Sequence, residues 1–160
     1  MTKIHTLDAF DRKLLETLQE DCQRPVAAIA EEIGLSVPAC YRRIRRLRTE
    51  GVIEREVAIV RPQTLGWSLS MIVLVMFERE GARTIEEMMR KLQAEPEVAE
   101  AWHVTGDFDL AVKIIARDME GFADLAQRLF SANERVRSFK TLVVMREMKS
   151  SSPVPVALDG

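Results

Sequence analysis

Residues 33–51 read IGLSVPACYRRIRRLRTEG, and this stretch decides how the first part of the chain folds. Gly34 suits the left-handed residue that ends a helix. Ser36 is a good N-cap for the next one. At about 100° per residue, Val37, Cys40, Ile44 and Leu47 then fall on one apolar stripe. The opposite face carries Pro38, Arg42, Arg45, Arg46 and Thr49, flanked by Tyr41, Arg43 and Arg48. Gly51 closes the helix in its turn. A short helix, a tight Gly-containing turn and a second helix form the helix-turn-helix pattern. Upstream, Leu7, Phe10, Leu14 and Leu18 predict an amphipathic first helix capped by Thr6. Pro25 opens the second helix, with Val26, Ile29, Ala30 and Ile33 on its inner side.

Charge sharpens this reading. The net charge of the 160 residues is −2, which looks wrong for a nucleic-acid binder. The sum hides a local patch. Residues 36–51 hold five arginines against Glu50 alone, a local +4, whereas residues 1–35 hold four basic and seven acidic residues, a local −3. Positive charge concentrated on one helix is what insertion into a DNA groove requires. Arg can make paired hydrogen bonds to guanine, and flanking cations can hold phosphates. A merely solvated arginine face is the bland alternative, and it normally carries Glu partners four residues away. The sequence suggests that such partners are lacking, so DNA is the expected partner. Arg42 and Arg45 are expected to reach bases or inner phosphates, and Arg43 and Arg46 to set backbone register.

The second half follows a different period. Residues 71–77, MIVLVMF, form a continuous apolar run suited to a strand buried on both faces. Thr84-Ile-Glu-Glu87 reads as a capping box, and Pro96 ends the helix that follows. Val98–Val104 and Leu110–Ala116 read as strands around the break Thr105-Gly106-Asp107-Phe108-Asp109. Asp118 caps a helix with Met119, Phe122, Ala126 and Leu129 inward, and Val136–Met145 closes the sheet. The order βαββαβ is that of a ferredoxin-like sandwich. Its two helices cover one sheet face; a second copy of the chain is the simplest cover for the other.

Residues 105–109 are the most chemically suggestive site in this half. Gly106 permits tight backbone geometry that turns N–H groups toward a ligand. Asp107 and Asp109 suit an ammonium group and Thr105 a carboxylate, together a small zwitterion such as an amino acid. On spacing alone a plain hairpin turn explains the same residues. His103 beside Asp107 and Asp109 does not make a metal or general-base site, because no second His or Cys is near. Asp8 and Asp11 read as favourable charges at a helix start rather than a catalytic pair. Cys22 and Cys40 read as small core residues. No nucleophile elbow, P-loop, Rossmann or zincin motif is present, so no enzyme, metal or cofactor is expected. No apolar run approaches the roughly 20 residues of a membrane span. No secretory h-region opens the chain, so a cytoplasmic location is expected.

Taken together, the motifs resemble the Lrp/AsnC, or feast/famine, transcription regulators. Leu7-Asp8-x-x-Asp11-x-x-Leu14-Leu15-x-x-Leu18-Gln19 is similar to the family's opening helix. Ile33-Gly34-Leu35-Ser36, Cys40-x-x-Arg43-Ile44-x-x-Leu47 and Gly51-Val52-Ile53 resemble its helix-turn-helix. Val104-Thr105-Gly106-Asp107-x-Asp109 resembles the hallmark loop of its effector unit. The resemblance implies dimers that assemble further to octamers, and a small amino-acid effector bound between dimers near that loop. It also implies that effector binding shifts assembly and hence DNA affinity. Departures are Gln23 and Arg135 where the family usually has Arg and Gly, Leu110 where Tyr is common, and bulky Trp102 and His103 before the loop.

The expected fold class is therefore α+β. A helix-turn-helix, winged-helix-like DNA-binding unit spans residues 1–60 and a linker 61–67. A ferredoxin-like effector-binding and oligomerisation unit spans 68–149, and a flexible tail 150–160. Expected DNA contacts are Ser36, Pro38, Tyr41, Arg42, Arg43, Arg45 and Arg46. Expected effector contacts are Thr105, Gly106, Asp107, Phe108 and Asp109. The expected activity is sequence-specific regulation of transcription on double-stranded DNA, tuned by an amino acid. An effector-independent architectural DNA-binding protein is the alternative.

Overall fold

A computed structural model describes residues 6–78, 82–149 and 154–156. The chain divides into two compact units, residues 1–59 with 149–160, and residues 60–148.

The first unit contains α1 (Ala9–Glu20), α2 (Val26–Ile33) and α3 (Val37–Thr49). α1 begins later than the expected Thr6 cap, because Asp8 and Asp11 satisfy each other's backbone. The Asp11 N–H donates to Asp8 Oδ1 at 2.9 Å and the Asp8 N–H to Asp11 Oδ2 at 3.2 Å. This reciprocal capping box outcompetes the single hydroxyl of a threonine. Gly34 takes a left-handed φ of 75°, and the turn is closed by the Leu35 N–H on the Ala30 carbonyl. Ser36 caps α3 through the Ala39 N–H. Leu14, Ile29, Ala30, Ile33, Cys40 and Ile44 interlock as the core. Each large apolar side chain sealed there contributes about 1.5–3 kcal/mol. Burial pushes the Cys40 thiol up, so it stays neutral, as a core residue should. Cys22 departs from expectation. It lies in the turn between α1 and α2 and is exposed. No strand forms in this unit among the described residues. Residues 54–59 run without regular structure after α3.

The second unit contains β1 (Leu69–Phe77), α4 (Ala82–Ala94), β2 (Val98–His103), β3 (Leu110–Ala116), α5 (Met119–Ala126), a π turn (Gln127–Ser131) and β4 (Val136–Val143). The four strands lie in the order β2-β3-β1-β4, with every neighbouring pair antiparallel. This is the expected βαββαβ sandwich. The register puts Met71 opposite Ile114, Val73 opposite Val112 and Val75 opposite Leu110. Those residues, with Phe77, are buried beneath Met88 and Leu92 of α4 and Phe122, Leu125, Leu129 and Phe130 of the α5 region. The intervening residues Ile72, Leu74 and Met76 are only half-buried. β1 is thus sealed on one face within the chain, not on both as its unbroken apolar run suggested.

Two local expectations change. Thr84 lies inside α4 rather than capping it. Its would-be partner Glu87 instead takes Arg83 at 3.0 Å and also pairs with Arg135. In α5, Met119 is exposed, and Leu125 joins Phe122 and Ala126 in the core. The Asp118 cap stands as read, accepting the Gly121 N–H at 2.8 Å.

Candidate nucleic-acid interface and effector loop

On α3 the apolar stripe is Cys40, Ile44 and Leu47, all buried. Ser36, Pro38, Tyr41, Arg42 and Arg45 are exposed on the rest of the helix, with Tyr41 at 60%. The arginines themselves are not equivalent. Arg43 Nη1 sits 2.7 Å from Asp8 Oδ2 and 2.8 Å from Asp11 Oδ1, and its guanidinium lies 5.5 Å from the centre of the Phe10 ring. Arg46 Nη2 lies 2.5 Å from Asp11 Oδ2. Arg48 pairs with Glu56 at 2.6 Å.

The carboxylate at the centre of this network is Asp11, which is 1% exposed. A carboxylate so buried is tolerated only when paired and hydrogen-bonded. Two guanidinium groups and the Asp8 N–H provide that. The Asp11 N–H, and after it the Arg43 guanidinium, hold the Asp8 carboxyl below its ordinary range, against the opposing effect of desolvation. The two aspartates raise the Arg43 pKa further, so Arg43 stays cationic. The network fastens α3 to the start of α1, and so fixes the angle at which α3 is presented.

This revises the expectation for the arginine face in two respects. Arg46 was placed among the outward residues, yet it is tied to Asp11 and lies 3.9 Å from Glu50, a four-residue partner. Arg43 is held by α1 rather than standing free for phosphate. Asp8 and Asp11 are more than helix-start charges; together they hold Arg43, and Asp11 also holds Arg46. Sequence reasoning could have flagged them, since two acids at capping spacing precede an arginine-rich helix. Arg42 and Arg45 have no ion pair among the described residues, and they project from the exposed face.

In the second unit, the loop between β2 and β3 borders a hollow of about 300 Å³ lined by His103, Val104, Thr105, Gly106, Phe108 and Asp109. That is the lower end of the size range of small-molecule sites. Gly106 adopts φ 129°, a conformation other residues rarely take. Asp109 does structural work at the same time. Its Oδ2 accepts the Phe77 N–H at 2.7 Å, its own N–H donates to the Val75 carbonyl, and its carbonyl accepts the Val104 N–H. It therefore stitches the ends of β1 and β3 to the loop. One carboxylate oxygen is committed to Phe77. Asp107 is exposed and does not line the hollow, whereas His103 does.

Comparison with known proteins agrees with both halves. Residues 7–48 match the AsnC-type helix-turn-helix domain, and residues 70–154 match the Lrp/AsnC ligand binding domain. An HTH-type transcriptional regulator of Sinorhizobium fredii is 38% identical, covering 95% of this chain and 90% of its own. The leucine-responsive regulatory protein of Rhizobium meliloti is 30% identical, over 94% of this chain and 96% of its own. Among solved structures, an AsnC family transcriptional regulator from Agrobacterium tumefaciens superposes with a TM-score of 0.86 at 27% identity, covering 94% of this chain and 97% of the other.

Proposed function

Because this chain belongs to the Lrp/AsnC family of DNA-binding transcription regulators, we propose that it reads double-stranded DNA through Arg42 and Arg45 of α3 and is tuned by an amino acid bound at residues 105–109. The observation that carries the DNA reading is the division among the arginines. Asp8 and Asp11 take up Arg43 and Arg46 and set the helix, and Arg42 and Arg45 are left for DNA. Ser36, Pro38 and Tyr41 surround the N-terminal half of α3, the part of a recognition helix that meets base edges. Arg43 and Arg46 act chiefly as positioning residues, with the outer side of Arg46, 43% exposed, still able to approach a phosphate.

The effector reading draws support from the hollow beside Gly106 and from the ligand-binding domain that residues 70–154 match. A relative named for its response to leucine supports an amino acid as the class of ligand. Thr105 and the Gly106 backbone suit the carboxylate, and the Asp109 carboxylate, whose Oδ2 is the oxygen that accepts the Phe77 N–H, suits the ammonium together with the exposed Asp107. A ligand shifts an equilibrium only by its differential affinity for two states, and the states are two assemblies of this chain acting in the cytoplasm. The regulatory unit is the second compact unit, residues 60–148, and the expected linker 61–67 lies within it, with Pro62–Leu65 wound as a short 3-10 turn.

Pairing begins at the uncovered sheet face. Register places Ile72 opposite Leu142 and Lys113, and Leu74 opposite Ala111, which faces Trp102. Leu142 and Trp102 are 43% and 44% exposed. Two copies laid face to face bury this surface, and dimers then assemble to octamers. Light scattering at micromolar concentration is expected to report a dimer or a multiple of it. A monomer contradicts this pairing. A dimer presents two α3 helices to a two-fold DNA site, as such motifs commonly do.

The effector reading is tested by a thermal-shift panel of the twenty amino acids. A ligand at 100 times its dissociation constant stabilises by about 2.7 kcal/mol, a rise on the order of 10 °C for a domain of this size. Gly106→Val should abolish the shift, because the left-handed conformation is strained for a branched residue. A panel without any shift contradicts effector binding and favours the architectural alternative.

A further inference from the structure

The chain returns to its first unit after leaving the second. Residues 149–160 group with residues 1–59, and Val154 is tied to α1. The Val154 N–H donates to Gln19 Oε1 at 2.7 Å, and Gln19 Nε2 donates to the Val154 carbonyl at 3.1 Å. A side-chain amide thus makes the paired hydrogen bonds that a neighbouring strand would make. Val154, Pro155 and Val156 lie along a groove of about 930 Å³ whose walls include Leu15, Leu18, Val52, Val57 and Ile59.

The sequence of the tail explains the register. In Pro153-Val154-Pro155 the prolines have no N–H, so Val154 is the single donor. Pro155 also biases Val154 toward extended backbone. A slip of one residue either way would set a proline against Gln19 Oε1 and leave that acceptor without its hydrogen bond. The pattern is that of proline-punctuated peptides read by their backbone in an apolar groove.

We propose that this groove on the DNA-binding unit is a receptor for the chain's own C-terminal segment, residues 154–156, which binds there reversibly as a strap. The chain then joins its two units twice, once through the linker and once through the docked tail. A short tether gives the tail an effective concentration on the order of millimolar. Docking in the intact chain therefore requires an affinity between separate molecules no weaker than about 1 mM.

The test uses a fluorescent peptide of residues 150–160 and a chain ending at Lys149. Anisotropy is expected to show saturable binding tighter than about 1 mM to the shortened chain and weaker binding to the full chain, whose own tail already occupies Gln19. At a dissociation constant of about 0.1 mM, a tail at millimolar effective concentration weakens it about tenfold. Gln19→Ala in the shortened chain should weaken binding by about tenfold through two lost hydrogen bonds. A peptide carrying Val154→Pro, which removes the donor and keeps the carbonyl acceptor without touching the protein, should also lose affinity, by about threefold or more. The proposal is overturned if the shortened chain fails to bind the peptide below 1 mM. It is overturned equally if the full chain binds the peptide as well as the shortened one, or if the proline peptide binds as well as the native one.

Discussion

Replacing Arg42 and Arg45 together with alanine is expected to lower affinity for a duplex selected from a random pool by a hundredfold or more. Each well-made arginine contact to a base is worth about 1–3 kcal/mol, and both side chains stand on the exposed face of α3, clear of the core. The variant should therefore fold normally, with an unchanged far-UV circular dichroism spectrum. Loss of affinity without loss of fold separates a contact residue from a structural one. Arg48→Ala provides the internal comparison, because Arg48 is engaged by Glu56 near the end of the helix. Its effect is expected to stay within threefold. Fluorescence anisotropy at one fixed salt concentration reads all of these, since affinities for DNA have meaning only at stated salt.

Asp11→Ala is expected to act in the opposite manner, through stability. The substitution removes a buried carboxylate, leaves Arg43 and Arg46 without their shared partner and deletes half of the capping box. Breaking a buried ion pair commonly costs 3–5 kcal/mol. The two arginines are partly exposed and recover some hydration, so about 2–4 kcal/mol is expected here. That is a large share of the roughly 5–15 kcal/mol that holds a typical domain together. Urea denaturation followed by circular dichroism should show a transition of the first unit moved to lower denaturant, with the second unit unaffected. Asp11→Asn, which keeps the shape and one acceptor, should fall between the two. A first unit as stable as wild type would show that the network does not hold α3 to α1.

These two effects also show what was legible in the sequence and what was not. The punctuation of α2 and α3 was legible because it is local, although the cap of α1 fell on Asp8 rather than Thr6. Gly34, Ser36 and Gly51 act on their own turns, and the structure uses each of them as read. The order of elements in the second unit was legible for the same reason, with Leu110–Ala116 and the Asp118 cap recovered as read. The division of labour among the arginines was not. It depends on acids 32–35 residues earlier in the chain, brought close only by the packing of α1 against α3. Asp8 and Asp11 already had a sufficient local explanation as helix-start charges, which hid their second role. The two faces of β1 were likewise illegible. A run such as MIVLVMF has no alternation, and only the register with β3 and β4 decides which residues meet the helices. In the loop, Asp109 could be recognised as important but not as a strand stitch, because its partner Phe77 is distant in sequence.

The central claim is that α3 is the DNA-contacting element and that Arg42 and Arg45 are its working charges. It is tested most directly by the salt dependence of binding to the selected duplex, measured for the wild type and for the Arg42→Ala/Arg45→Ala variant. Each phosphate neutralised contributes about 0.9 to the slope of log affinity against log salt. The wild type is expected to give a steep negative slope, and the variant a weaker affinity with a slope shallower by roughly one to two. An affinity and a slope that both remain at their wild-type values would contradict the account.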